Sequence, residues 1–149
     1  MSGGKLRVAA AILALVGMGV AGYLTWIHYS GTRIVCVRGG GCETVQHSSY
    51  AEIAGVPVAL LGLISYTAIV ALVAWDSENA RLGAATLALV GMLFSAYLLV
   101  LQLFVIDATC IWCLANDVVI APALALVTGL RLRAGPSLRS SGPDAAPSA

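Results

Sequence analysis

The sequence predicts an all-α membrane protein, a four-transmembrane-helix bundle with an extracytoplasmic loop that carries a short amphipathic helix. Three observations predict it. Hydrophobic residues make up 60% of the 149 and charged residues only 10%, with a mean hydropathy of +0.94. A soluble domain is about half apolar and about a quarter charged, so this chain lacks the charge to cover a water-facing surface. Four apolar segments, at about 6–27, 56–75, 82–106 and 109–130, reach the ~20 residues that a helix needs to cross a bilayer core. Only one long polar connection joins them, and it lies between the first and second. The net charge of +1 leaves no electrostatic footprint for nucleic acid.

The first segment has Lys5 and Arg7 ahead of its apolar run, as a secretory leader would. The run is too long for a leader, and Gly22-Tyr23-Leu24-Thr25-Trp26 is a poor small-residue cleavage site, so it reads as a retained anchor. The connection from His28 to Gly55 places Gly39-Gly40-Gly41 between Cys36 and Cys42. Residues from about Glu43 to Ile53 are expected to form a short helix on the membrane face, with Val45, Tyr50 and Ile53 as its apolar contacts. Pro57 marks the start of the second span, where a first-turn proline is tolerated. The short connection Asp76–Ala80 makes spans two and three antiparallel neighbours. The turn at Asp107-Ala108 is shorter and makes spans three and four a tight hairpin. Gly17-Met18-Gly19, Ala21-Gly22 and Gly62 are candidates for close helix packing in lipid. Residues 1–133 thus form one membrane domain. The Gly-, Pro-, Ser- and Ala-rich residues 134–149 are expected to be a disordered cytoplasmic tail.

Basic residues set the expected orientation. With the N-terminus inside, Lys5, Arg7, Arg81, Arg131, Arg133 and Arg139 are cytoplasmic, and only Arg33 and Arg38 are outside. This split satisfies the positive-inside rule, and Trp26, Tyr29 and Trp112 fall near the outer interface with Trp75 near the inner one. All four cysteines then face an oxidising compartment, where disulfides persist.

Cys110-Ile111-Trp112-Cys113 opens the fourth span, and a C-x-x-C is a redox or metal signature. At the N-terminal end of a helix, with Thr109 or Asp107 as the expected cap, unpaired N–H groups and the helix dipole favour the nucleophilic thiolate. Cys113 lies one turn deeper and can pair with Cys110 while facing the hydrocarbon. Dithiol chemistry at that place points to an acceptor dissolved in the membrane, a quinone. Cys36 and Cys42 enclose five residues. A disulfide there closes a small loop of modest entropic value, on a glycine-rich segment suited to exchange, although a permanent staple has the same spacing. A zinc site of four cysteines would pair two C-x-x-C-like knuckles, which these spacings do not supply.

Asp117 is seven residues beyond Cys110 and four beyond Cys113, so all three share a helix face. An ionisable side chain inside a span is a functional hypothesis in itself. Held neutral by burial, it would donate a hydrogen bond to a quinone oxygen. Asn116 could do similar work, and Gln102 near the outer end of span three could face the same cavity. Structural interhelical contacts are the alternative for all three. His28 and Tyr29 suit an interface, and His47 suits a solvated loop.

These residues resemble the vitamin K epoxide reductase family: four spans, Cys36-x5-Cys42 in the first outer loop, and Cys110-x-x-Cys113 opening the last span. Gly41–Tyr50 is similar to the family's loop-cysteine segment, with Ser48 six residues after Cys42. Val56–Gly62 is similar to the start of the second span in bacterial members. The resemblance covers about residues 6–130. It implies that Cys36 and Cys42 form a shuttle disulfide taking electrons from a thioredoxin-fold protein. Cys42 would attack the Cys110–Cys113 disulfide, and Cys113 would pass electrons to the quinone and could form a charge-transfer complex with it. Ser48 would hold the loop helix over the pocket. Two quinone-contacting positions depart from the animal enzymes, with Val58 in place of an asparagine and Asp117 in place of a tyrosine, so epoxide reduction does not carry over. The fused thioredoxin-like domain of many bacterial members is missing from this sequence, so a separate extracytoplasmic thioredoxin-fold (DsbA-like) partner is expected.

The implied activity is a quinone-linked, disulfide-generating thiol oxidoreductase of the bacterial cytoplasmic membrane, without a metal. The other four-span oxidase scaffold with this chemistry carries its C-x-x-C in the first outer loop, which disfavours it. A non-enzymatic accessory membrane protein with structural disulfides is the remaining alternative.

Overall fold

The structure, a computed structural model, describes residues 2–36 and 41–134. The expected cytoplasmic tail from residue 135 onward, with Arg139, and the loop residues Arg38, Gly39 and Gly40 lie outside the described residues.

Among the described residues, four helices are long and apolar enough to cross a membrane: Gly3–Ser30, Val58–Trp75, Glu78–Val105 and Ile111–Ala134. We label the continuous α-helical runs α1 (Gly3–Ser30), α2 (Gly41–Gln46), α3 (Val58–Trp75), α4 (Glu78–Val100), α5 (Ile111–Ala115) and α6 (Ala121–Ala134). The third and fourth spans each contain a π-helical turn, at Leu101–Val105 and Asn116–Ile120. The bundle closes as a ring: α1 packs on α3 and α6, and α4 packs on α3 and α6. Its interior is built largely from alanine, with Ala10, Ala14, Ala21, Ala84 and Ala88 buried around Tyr66, Ile69, Val73 and Leu124. Small side chains let backbones approach closely where lipid supplies no hydrophobic drive between helices.

The expected small-residue contacts divide. A Cβ on Gly17 would lie 2.5 Å from the Tyr66 ring, so only glycine fits there. Gly62 faces Ala21 and Gly22 faces Leu63 at ordinary contact distances, while Gly19 meets nothing. The large apolar side chains Ile12, Val90 and Val119 point outward, as lipid-facing residues do.

The loop differs from expectation. The helix expected over Glu43–Ile53 is α2 and ends at Gln46. The Ser48 hydroxyl donates to the Val45 carbonyl at 2.8 Å and closes its last turn. Glu52–Ile53 then pairs antiparallel with Val56–Pro57 as strands β1 and β2. The two-residue turn has positive φ at both Ala54 (53°) and Gly55 (80°), the geometry that matches hairpin twist. Of the expected apolar contacts only Val45 is buried; Tyr50 and Ile53 are exposed. Pro57 is therefore a strand residue and the N-cap of α3, and the second span starts at Val58.

The far end of the bundle holds an ion cluster that the sequence did not reveal. Asp76 caps α3 in the left-handed region. It accepts from Arg81 at 2.8 Å and from Arg131 at 2.7 Å, with Arg7 at 3.5 Å. Arg7 also donates to the Val73 and Ala74 carbonyls that α3 leaves open at its C-terminus. One carboxylate thus ties together one end of all four spans.

Candidate redox centre

The site begins at the hairpin between the third and fourth spans. The π turn at Leu101–Val105 closes with Ile106 N–H on the Leu101 carbonyl, and Ala108 N–H donates to the Gln102 carbonyl. Asp107 (φ 51°) occupies the left-handed region and reverses the chain. Cys110 is then itself the N-cap of the fourth span, replacing the expected Thr109 or Asp107. Its extended backbone (φ −100°, ψ 114°) lets Sγ accept the Cys113 N–H at 3.4 Å. A helix-terminal N–H aimed at sulfur stabilises charge on that sulfur.

Cys110 and Cys113 are free thiols with Sγ atoms 2.6 Å apart. Cys36 and Cys42 are joined as a disulfide, Cα to Cα 6.3 Å. Cys42 and Cys110 are both fully buried and belong to one apolar cluster with Leu24, Ile27, Ile34 and Val45. The two pairs therefore lie together at one end of the bundle, opposite Asp76. Cys110 is turned toward the loop pair, whereas Cys113 lines a cavity.

That cavity runs between the spans below the loop and has a volume of about 190 Å³. A dry cavity of about 150 Å³ holds benzene, so there is room for an aromatic head group. Val58 and Ser48 lie at its loop end, while Ile69, Ala88 and Leu124 extend it into the bundle. Its polar groups cluster on one wall. Gln102 donates from Nε2 to Asp117 Oδ2 at 3.2 Å and accepts at Oε1 from the Cys110 backbone N–H at 3.2 Å. Asn116 donates to Asp117 Oδ1 at 3.1 Å and to Ser95 Oγ at 3.5 Å, and accepts from the Tyr66 hydroxyl at 2.5 Å. Every buried side-chain polar atom among the described residues has a partner. A network so satisfied is rigid.

One of the two amides is oriented by its far end. The Cys110 N–H is a donor only, so Gln102 turns its oxygen to it and its nitrogen to Asp117. The Tyr66 hydroxyl meets the Asn116 oxygen, while the Asn116 nitrogen reaches Asp117 and Ser95. Asp117 thus has an amide at each carboxyl oxygen. Asp117, Asn116, Gln102 and Cys113 are brought together on the cavity wall. Gln46, Tyr66 and Ser95 join them unforeseen: Gln46 Nε2 reaches Cys113 Sγ at 3.7 Å from α2. Tyr66 and Ser95 carried a legible signal, a hydroxyl in mid-span, but Gln46 carried none. His28 pairs with Glu52 at 3.2 Å, His47 is exposed, and neither lines the cavity.

A family model described as the Vitamin K epoxide reductase family matches residues 8–128. The chain belongs to the vitamin K epoxide reductase family. The match reaches into all four membrane helices and includes both cysteine pairs and the cavity wall. Vitamin K epoxide reductase membership makes this multi-pass membrane protein an oxidoreductase, and places the cysteine pairs described above within the matched segment.

Proposed function

We propose that this member of the family is a thiol–quinone oxidoreductase that generates disulfides outside the cytoplasm of a bacterium. The observation that carries the reading is the position of Cys113, which pairs with Cys110 on one side and lines the cavity on the other. Electrons enter at Cys36–Cys42. A separate extracytoplasmic thioredoxin-fold, DsbA-like dithiol reduces that disulfide and leaves oxidised. The Cys42 thiolate attacks Cys110 of a Cys110–Cys113 disulfide, forming Cys42–Cys110 and releasing Cys113 as thiolate. Cys36 then attacks Cys42, which restores the loop disulfide and releases Cys110. The Cys110–Cys113 dithiol passes two electrons and two protons to a quinone, giving quinol and closing the disulfide.

Chain residues support the acceptor site in distinct ways. Asp117 and Asn116, with Gln102 behind them, offer the polar wall for a quinone oxygen. Val58 supplies apolar contact, and Ser48 fixes the end of α2 over the pocket. Orientation follows the basic residues: the Asp76 end, with Arg7, Arg81 and Arg131, is cytoplasmic along with both termini, and the cysteines are extracytoplasmic.

Three measurements test the reading. Cys36→Ala and Cys42→Ala chains are expected to accumulate mixed disulfides when their remaining loop thiolate attacks the disulfide form of a thioredoxin-fold protein and releases its second thiol, and the purified wild type to reduce a membrane quinone with a dithiol donor. Absence of both sinks it. In Cys110→Ala with bound quinone, a charge-transfer absorption band is expected from the freed Cys113 thiolate.

A further inference from the structure

The loop pair and the C-x-x-C are held against each other by contacts immediately outside the cysteines. Val35, one residue before Cys36, has an exposed side chain, but its peptide group is gripped on both sides. Its carbonyl accepts from Trp112 Nε1 at 2.9 Å, and its N–H donates to the Tyr23 hydroxyl at 3.2 Å. The Tyr23 and Trp112 rings lie together with centroids 5.2 Å apart. The Trp112 indole is half-buried and its N–H is committed to the loop. Gly41, one residue before Cys42, lies against the backbone of Thr109, one residue before Cys110. A Cβ on Gly41 would sit 2.5 Å from the Thr109 carbonyl oxygen and 2.8 Å from its nitrogen. Both are backbone atoms, which cannot swing aside as a side chain would.

We infer that Trp112 and Gly41 are positioning residues that set the register of the two cysteine pairs for exchange. The inference rests on the relay reading proposed above. Attack of a thiolate on a disulfide requires close approach of the two sulfurs, so exchange between pairs on different elements depends on what aligns those elements. Trp112 holds the segment leading into Cys36, and the missing Gly41 side chain lets the segment leading into Cys42 settle on the segment leading into Cys110. Tyr23 on α1 supports the first contact. Trp112, one of the two residues between the motif cysteines, therefore acts on the loop, independently of the quinone pocket.

The test uses the full-length chain in detergent. A Cys36→Ala/Cys113→Ala parent retains only Cys42 and Cys110, and oxidised glutathione converts the two thiols to one disulfide with release of two reduced glutathiones. A Cys36→Ala/Cys42→Ala parent gives the closure rate of Cys110–Cys113 under the same oxidant. The ratio of the two rates, followed by peptide mass mapping, is compared after adding Trp112→Phe or Gly41→Ala to both parents. Trp112→Phe keeps a ring and loses one net hydrogen bond, so the ratio is expected to fall about fivefold; Gly41→Ala is expected to lower it at least as much. An unchanged ratio in either variant overturns the inference while leaving the relay standing. A parent that never forms Cys42–Cys110 overturns the relay itself and the inference with it.

Discussion

Gln102 Nε2 donates to Asp117 Oδ2 at 3.2 Å, and the other end of the same amide takes the Cys110 backbone N–H. One side chain therefore satisfies both the start of the fourth span and the carboxylate inside it. Gln102→Leu leaves two buried groups without partners, each worth about 1–3 kcal/mol. Thermal unfolding in detergent is expected to show that loss together with slower dithiol-to-quinone turnover. Gln102→Glu, which keeps an acceptor for Cys110, is expected to recover part of the stability; equal losses in the two variants would contradict the bridging role.

Tyr66→Phe removes the hydroxyl that donates to the Asn116 amide oxygen. The Asn116 oxygen is then left without its donor, and the polar wall is held less firmly. The expected outcome is a KM for quinone raised about fivefold, the size of one net hydrogen bond, with a smaller change in kcat. Steady-state kinetics against a water-soluble quinone analogue would measure it.

Gly17→Ala places a methyl group against the Tyr66 ring. Overpacking of this kind costs about 1–3 kcal/mol. Gly19→Ala, two residues along on a face where nothing lies within 4 Å, gains helix propensity instead, by up to about 1 kcal/mol. The two alanines should thus shift the unfolding temperature in opposite directions.

The Arg81 guanidinium bonded to Asp76, with Arg131 and Arg7 nearby, holds the Asp76 carboxyl below the usual carboxylate range. A depressed folded value means a contribution fully present above the unfolded value of about 3.9, and lost as pH falls through the lower folded value. Stability from this cluster should be flat near neutrality and decline only in strong acid. Asp76→Asn strands the buried Arg131 and is expected to cost about 3 kcal/mol at pH 7. It should also flatten the acid limb of a melting-temperature profile.

Much of the fold was legible because its cause is local. Hydropathy marks four spans whatever their packing, and Cys110-x-x-Cys113 is a fixed-spacing motif. The features that escaped depend on contacts between distant segments or on backbone geometry. The hairpin at Ala54-Gly55 lacks the Asn-Gly or Asp-Gly signature, so the residues read as helix as far as Ile53. Arg7, Arg81 and Arg131 could be counted for orientation, but their convergence on Asp76 needs the closed ring of helices. The grip on Val35 involves its peptide group, so its side-chain identity carries no sign of it. Asp117 was found as an oddity in a span, yet its two amide donors come from different directions. One of them, Gln102, lies on the neighbouring span within a turn that departs from α-helical phase.

The two π-helical turns, at Leu101–Val105 and Asn116–Ile120, make chain length as much a determinant of this centre as residue identity. Each wide turn accommodates roughly one residue more than an α-helical turn, and one residue is about 100° of rotation. Deleting a single exposed apolar residue such as Val119 would let the helix rewind and rotate the C-terminal part of the span relative to its N-terminal part. Asp117 and Cys110 could then keep their shared partner Gln102 only by giving up the seating of Leu124 and Thr128 below. Sequence variation here should therefore tolerate swaps among apolar residues more readily than a gap of one.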